Sequence, residues 1–142
     1  MNIYVASSWR NEHQQSVVRD LRSEGYEVYD YRNPPNKAGF GWEQIDGGHK
    51  TWSMDQYMNA LKHPLAQAGF NSDFDAMKEA DACVMVTPTG SSAHLELGWF
   101  VGQGKPTIIY FTTIREPELM IKMVDCFCFS IQEVVSALKE IK

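Results

Sequence analysis

Residues 82–86 (Ala-Cys-Val-Met-Val) form a short run without a polar side chain. Turn-forming residues bound it, with Asp81 before it and Thr87-Pro88-Thr89-Gly90-Ser91-Ser92 after it. Five uninterrupted apolar residues between turn signals predict a strand covered on both faces, and such strands belong to parallel sheets flanked by helices. Beyond the small-residue loop, Ala93-His94-Leu95-Glu96-Leu97-Gly98 opens a helical pattern with one carboxylate in its early turns. A strand end, a loop of small residues and a helix N-terminus beside a fixed acid are the components of a ligand site on an open α/β sheet.

The rest of the chain repeats this alternation. Strands are predicted at residues 2–6, 26–31, 107–111 and 126–129, in addition to 82–86. Helices are predicted over 9–24, with Val17, Val18 and Leu21 as the apolar stripe and Gly25 as the stop, and over 73–80, with Ser72 as N-cap. Further helices are predicted over 93–101 and briefly over 117–124. The last follows the capping box Ser130-Ile131-Gln132-Glu133 and carries Val134, Val135, Leu138 and Ile141 on one face. Alternating strands and helices give an α/β fold, a flavodoxin- or Rossmann-like three-layer sandwich with a five-stranded parallel sheet in the order 2-1-3-4-5. That order places the switch point between the first and third strands, with residues 6–10 facing residues 87–96.

Residues 33–71 interrupt the rhythm. They combine Pro34, Pro35, Gly39, Gly41, Gly47 and Gly48 with Phe40, Trp42, Trp52, Tyr57 and Phe70. The segment is too long for an idle connection and is read as an aromatic, glycine-rich insertion in a single domain spanning 1–142. It serves as a lid, a binding loop or an interface, with a possible helix at 51–61.

Composition narrows the partners. With 142 residues, 44% of them hydrophobic, the chain can build one core, and a net charge of -5 without a basic run excludes nucleic-acid polymers and anionic membranes as main partners. No apolar run approaches a membrane span, and the amino terminus enters a strand pattern without a signal-like leader, so a cytoplasmic protein is expected. Three cysteines in strand-like segments fit a reducing compartment. Cys126 and Cys128 alternate onto one strand face, and no second pair stands at metal-ligand spacing, so no metal is expected.

Glu96 is the first candidate for chemistry. With Ser92 as N-cap it stands in the fourth helical position, ionised near the positive helix end and suited to a nucleophile; the plain alternative is a solvated glutamate. Asp73 and Asp75 open their predicted helix, either as dipole-compensating residues or as a general acid or base. Ser7, Ser8 and Arg10 after the first strand suit an anion or a sugar hydroxyl, or else a capped helix with a surface arginine. Gly90, Ser91 and Ser92 form a loop able to take phosphate or ribose oxygens. The chain carries neither the Lys-Ser/Thr of a P-loop nor a GxGxxG turn, which disfavours ATP hydrolysis and NAD(H) redox chemistry. His94 and His63 read as packing or helix-end residues. Trp42 and Trp52 offer faces to a nucleobase or to a subunit contact.

Four pieces in order resemble the nucleoside 2-deoxyribosyltransferase superfamily, which includes the 2'-deoxynucleoside 5'-phosphate N-hydrolases. They are Ile3-Tyr4-Val5-Ala6; Ser8-Trp9-Arg10; Asp73 placed eight residues before Asp81; and Glu96-Leu97-Gly98 followed by Gly104-Lys105-Pro106. The resemblance implies a cofactor-free N-glycosidic cleavage or transfer on a (deoxy)nucleoside or nucleotide. Glu96 would be the nucleophile that forms a glycosyl-enzyme, Asp73 would manage the proton at the base, and Tyr4 would hold Glu96. It also implies a homodimer or higher homo-oligomer, since relatives complete each site with a residue from a neighbouring subunit. The matching position here is Glu118. The family's serine or aspartate six residues before the glutamate is Gly90 here, and Glu118 would repel a phosphate that Arg10 attracts, so the 5' group stays open. The competing readings are a TIR-like NAD glycohydrolase and a non-catalytic nucleotide-binding sensor or scaffold.

Overall fold

A computed structural model describes residues 1–35, 37–114 and 116–141. They fall into two compact units, Met1–Asp30 with Glu79–Lys142, and Tyr31–Lys78.

The first unit holds a five-stranded sheet. Its strands are β1 (Asn2–Ala6), β2 (Glu27–Tyr29), β3 (Ala82–Val86), β4 (Thr107–Tyr110) and β5 (Cys126–Cys128). Every pairing is parallel and the order is β2-β1-β3-β4-β5, as the alternation predicts. The helices of this unit are α1 (Gln14–Ser23), α4 (Ser91–Gly102) and α5 (Ile131–Glu140), while α2 (Met54–Leu61) lies in the second unit and α3 (Pro64–Glu79) begins there.

Strand alternation sorts the side chains into two layers. Ile3, Val5, Val28, Ala82, Val84, Val86 and Ile108 pack with Val17, Val18 and Leu21 of α1 and with Val134 and Leu138 of α5 in one core cluster. Tyr4 and Cys83 have the opposite parity and are fully buried on the other face, where Tyr4 meets Phe100 of α4 with ring centroids 5.8 Å apart. Helices on both faces complete the three-layer sandwich. Burying each of these large apolar side chains contributes about 1.5–3 kcal/mol, which is why β1 and β3 at the centre of the sheet anchor the unit.

The ends of the elements carry the local chemistry. Gly104 ends α4 at φ +66, a conformation that β-carbon sterics disfavour. Next to it, Lys105 extends over the Trp99 and Phe100 rings and donates from Nζ to the Ala80 carbonyl at 2.6 Å. Asp81 accepts the Asn2 N–H at 2.7 Å, and Asp125 accepts both the N–H and the hydroxyl of Thr107 at 2.9 Å. Ser130 caps α5 by accepting from the Glu133 N–H, but the Glu133 carboxylate reaches back to the Phe129 N–H rather than to Ser130. The expected capping box is therefore displaced by one residue on its return arm.

In the second unit, α3 corrects the helix predicted over 73–80. It runs unbroken over Pro64–Glu79, so Ser72 is not an N-cap and Asp73 lies in mid-helix. Gly69 lies within this helix. Its hydrogen faces Phe40, whose Cβ would lie 2.8 Å from any added side-chain carbon, so close packing rather than a break explains the glycine. α2 starts at a full capping box, Ser53 with Gln56. His63 marks the boundary between α2 and α3, where its Nδ1 accepts the Leu65 N–H at 3.1 Å. Among the described residues no helix is long and apolar enough to cross a membrane.

Candidate functional site

Adjacent β1 and β3 deliver their two following loops to the same edge of the sheet, where side chains lock them together. Ser7 donates its hydroxyl to the Val86 carbonyl at 2.8 Å. Asn11, only 2% exposed, donates its amide to the carbonyls of Val86 and Pro88 at 3.2 and 3.0 Å. The Asn11 side-chain oxygen accepts the N–H groups of His13 and Gln14, so this residue caps α1. The helix expected from residue 9 is thereby corrected to Gln14. Residues 8–11 are instead a turn, in which the Ser8 carbonyl accepts the Asn11 N–H and the Ser8 hydroxyl accepts the Arg10 N–H. That turn leaves Arg10 exposed beside half-buried Ser7 and Ser8. Thr87 extends the lock to the loop after β4, donating to the carbonyls of Tyr110 and Thr113.

α4 positions Glu96. Its N-cap is Gly90, not Ser92, so Ser91 and Ser92 are its first helical residues. Glu96 stands two positions deeper than the sequence spacing predicts. The helix dipole decays within the first turn, so the amino terminus of α4 no longer accounts for the charge state of Glu96. Helical periodicity explains its setting better. Ala93, Leu97 and Phe100 are the buried positions of α4, and Glu96, three residues from Ala93 and four from Phe100, lies at the margin of that face and is half-buried. Its neighbourhood is marked by Cys83. Burial pushes the Cys83 thiol well above its ordinary range, and the nearby Glu96 carboxylate pushes it further in the same direction. Tyr4 is the register partner of Cys83 on β1 and stacks on Tyr29 with ring centroids 5.6 Å apart. Tyr4, Cys83 and Glu96 thus share the face of the sheet that α4 covers. His94 is exposed and places Nδ1 2.9 Å from the Gly90 carbonyl, a local contact at the helix start.

A groove of about 670 Å³ runs along the outer side of α4 against the 3-10 turn Leu119–Met123. Thr89, Gly90, Ser91 and Glu118 meet at it, so the groove brings together three candidates from distant parts of the sequence; Ser92, exposed, is not among its lining. The Thr89 hydroxyl oxygen is buried without a hydrogen-bond partner among the described residues.

Asp73 and Trp42 belong to the second unit. Asp73 is half-buried on α3, whereas Asp75 is exposed and ion-paired with Lys78 at 2.6 Å. Trp42 is the hub of an aromatic cluster, edge-on to Phe40, Trp52 and Tyr57.

Sequence reasoning missed Asn11, Thr89 and a buried amide–carboxylate group in which Gln14 and Gln15 donate to the two oxygens of Asp30 at 2.9 and 3.0 Å. Nothing local marks Thr89 or Asp30, because their environments are made by distant strands.

No protein-family model matches the chain, and no curated protein does. Solved structures do. The chain is similar to a 2-deoxyribosyltransferase from the psychrotolerant bacterium Bacillus psychrosaccharolyticus, at 23% identity and a TM-score of 0.60 over 94% of this chain and 90% of that one. It is similar to a CMP N-glycosidase of Clostridium botulinum, at 17% identity and a TM-score of 0.53 over 98% and 99% of the two chains. A conserved protein of Enterococcus faecalis V583 shows 16% identity and a TM-score of 0.61 over 99% and 98%. With its all-parallel 2-1-3-4-5 sheet, the chain shares the α/β fold of these three solved structures along nearly its whole length.

Proposed function

We propose that this protein cleaves or transfers the N-glycosidic bond of a nucleoside or nucleotide, with Glu96 as nucleophile. The observation that carries the reading is the half-buried Glu96 carboxylate on α4, whose charge acts on the buried Cys83 thiol of β3 and which lies on the same face of the sheet as Tyr4. Solved structures of the same fold that are a 2-deoxyribosyltransferase and a CMP N-glycosidase support it.

In this reading a Glu96 oxygen bonds to the anomeric carbon as the carbon–nitrogen bond breaks. The electron pair leaves with the base, and Asp73 supplies the proton that neutralises it. Water or a second base, losing a proton to Asp73, then takes the sugar from Glu96, which restores the Glu96 carboxylate and the Asp73 acid, as in a retaining glycosidase. Tyr4 orients Glu96. Ser7, Ser8 and Arg10 on one side, with Gly90, Ser91, Ser92 and Glu118 on the other, hold the sugar and its 5' group, and Trp42 offers a face to the base. The displacement needs no cofactor. The chain works as one catalytic domain with residues 33–71 as an insertion, in the cytoplasm, as a homodimer or larger homo-oligomer. The exposed Leu95 of α4 and Met120 across the groove, with the exposed Leu119 next to Met120 in the chain, form the apolar face that pairs the subunits.

The test is chromatographic detection of free base from deoxynucleosides, deoxynucleotides, ribonucleotides and NAD, with wild-type protein beside Glu96→Ala. Release that requires Glu96 supports the reading, and the best substrate names the branch. No release from any of them, with or without an acceptor base, makes the protein a nucleotide-binding relative without turnover.

A further inference from the structure

The Tyr31–Lys78 unit contains a pocket of about 340 Å³ lined by Trp42, His49, Trp52, Ser53, Met54 and Tyr57. Its walls are rings at right angles. Trp42 and Trp52 meet at an interplanar angle of 79° with centroids 5.6 Å apart, Trp42 and Tyr57 at 80° and 5.9 Å, and His49 and Trp52 at 71° and 6.0 Å. The rings are not sealed in a core, since Trp42, His49 and Trp52 are half-buried and Tyr57 is 45% exposed.

Shape and charge decide what fits. A flat neutral base can lie on one ring face, such as that of Trp42, but walls at 79° and 80° cannot sandwich it between two and leave this pocket's other rings unused. Perpendicular walls suit a rounded group that presents methyl groups to each ring. The charge preference comes from Asp46. One of its carboxylate oxygens accepts the Trp52 indole N–H at 2.8 Å and the other accepts the Gly48 N–H at 2.9 Å, while its backbone carbonyl accepts the His49 N–H at 3.2 Å. A carboxylate on the indole N–H enriches the π face of Trp52 in electron density, and tryptophan is the strongest aromatic partner for a cation. Those two hydrogen bonds also hold the Asp46 carboxyl below the usual carboxylate range, so it is charged at neutral pH. Glu43 and Asp55 add to the acidic character of residues 42–57, against Lys50.

We infer that this aromatic box is a binding site for a trimethylammonium group, carried either by a small quaternary amine such as choline or by a trimethylated lysine side chain. The pocket lies entirely within the Tyr31–Lys78 unit, so the inference stands or falls independently of Glu96 as a nucleophile.

The probes carry no N-glycosidic bond and are not substrates of the proposed reaction. Isothermal titration and saturation-transfer NMR on the intact protein would compare choline, Nε-trimethyllysine and 3,3-dimethylbutan-1-ol, the neutral isostere of choline. A cation site binds choline or trimethyllysine at least about fivefold more tightly than the alcohol, and whichever of the two binds better identifies the source. Asp46→Asn keeps an acceptor for the Trp52 indole and removes the charge. It should weaken the cations about threefold or more while leaving the alcohol unchanged. Trp42→Ala should abolish cation binding, and Tyr57→Leu, at a more exposed wall, repeats the test if Trp42→Ala disturbs the unit. Equal affinity for the alcohol would make the pocket a plain apolar contact and overturn the proposal. So would failure of both cations to saturate the protein at about 10 mM.

Discussion

The side-chain amide of Asn11 donates to the Pro88 carbonyl at 3.0 Å and, in the same geometry, to Val86 at 3.2 Å, while its oxygen caps α1. One buried side chain thus fixes the loop after β1 to the loop after β3, and these are the two loops that carry Ser7, Ser8 and Arg10 on one side and the Gly90–Ser91 entrance to α4 on the other. Removing it leaves two carbonyls and two helix N–H groups without this partner. Asn11→Ala should cost about 2–4 kcal/mol of folding stability, read as a lower urea midpoint. An unchanged midpoint would mean that the loops do not need this tie.

Glu96→Gln and Glu96→Ala should lower turnover by about 10³-fold or more while the far-ultraviolet circular dichroism and melting temperature stay close to wild type. The carboxylate sits at the margin of the α4 packing face, not within it, so the fold does not depend on its charge. Substantial activity in a folded Glu96→Ala protein would remove the nucleophile from the mechanism.

Asp73→Asn should reduce kcat by about 10²–10⁴-fold, the usual worth of a general acid. Because Asp73 is in the middle of α3 and not at its capped end, the substitution should leave helix stability nearly unchanged. A rate equal to wild type would exclude Asp73 from proton transfer, and a bell-shaped pH profile that loses one limb in the variant would support it.

The thiols give a stability prediction with a definite sign. Burial, then the hydrogen bond and charge of Cys126, and then Glu133 push Cys128 up to about 12; burial and Glu96 push Cys83 up as well. In the unfolded chain both ionise near the ordinary thiol value, about 8.5. Above that value the native state binds more protons than the unfolded state, so stability is fully present below about pH 8.5 and declines as the pH rises toward 12. Urea midpoints at pH 8 and pH 10.5 should show the decline, and Cys83→Ala should make it shallower. Identical slopes in wild type and variant would show that Cys83 titrates alike in both states.

Leu95→Asp or Met120→Asp should convert the protein to a monomer in sedimentation velocity and reduce base release, because both residues are exposed on the apolar face at the α4 groove, 76% and 63% respectively. A wild-type protein that sediments as a monomer at all concentrations would refute subunit pairing through this face.

Much of the fold was legible along the chain because its cause is local. Five short apolar runs separated by helical stripes can bury themselves only as a parallel sheet with helices on both sides, and right-handed crossovers reduce the possible orders to a few. β3 and the stripe of α5 fell where periodicity put them. Helix ends and depth were less legible. α1 begins late because Asn11 is drawn to carbonyls at the end of β3 and in the loop after it, far away in sequence. α3 starts at Pro64, nine residues before Asp73, and runs through Gly69, which packs against Phe40. Glu96 and Asp73 were candidates by residue type and position, but their catalytic roles, and Tyr4 altogether, came from the family resemblance. The half-burial of Glu96 beside Cys83, the meeting of Thr89, Gly90, Ser91 and Glu118 at one groove, and the perpendicular box around Trp42 were decided by tertiary structure alone. A residue's propensities act over one turn of helix or a few residues of strand. Its solvation, its charged neighbours and the angle of the ring beside it are set by chain segments that only folding brings near.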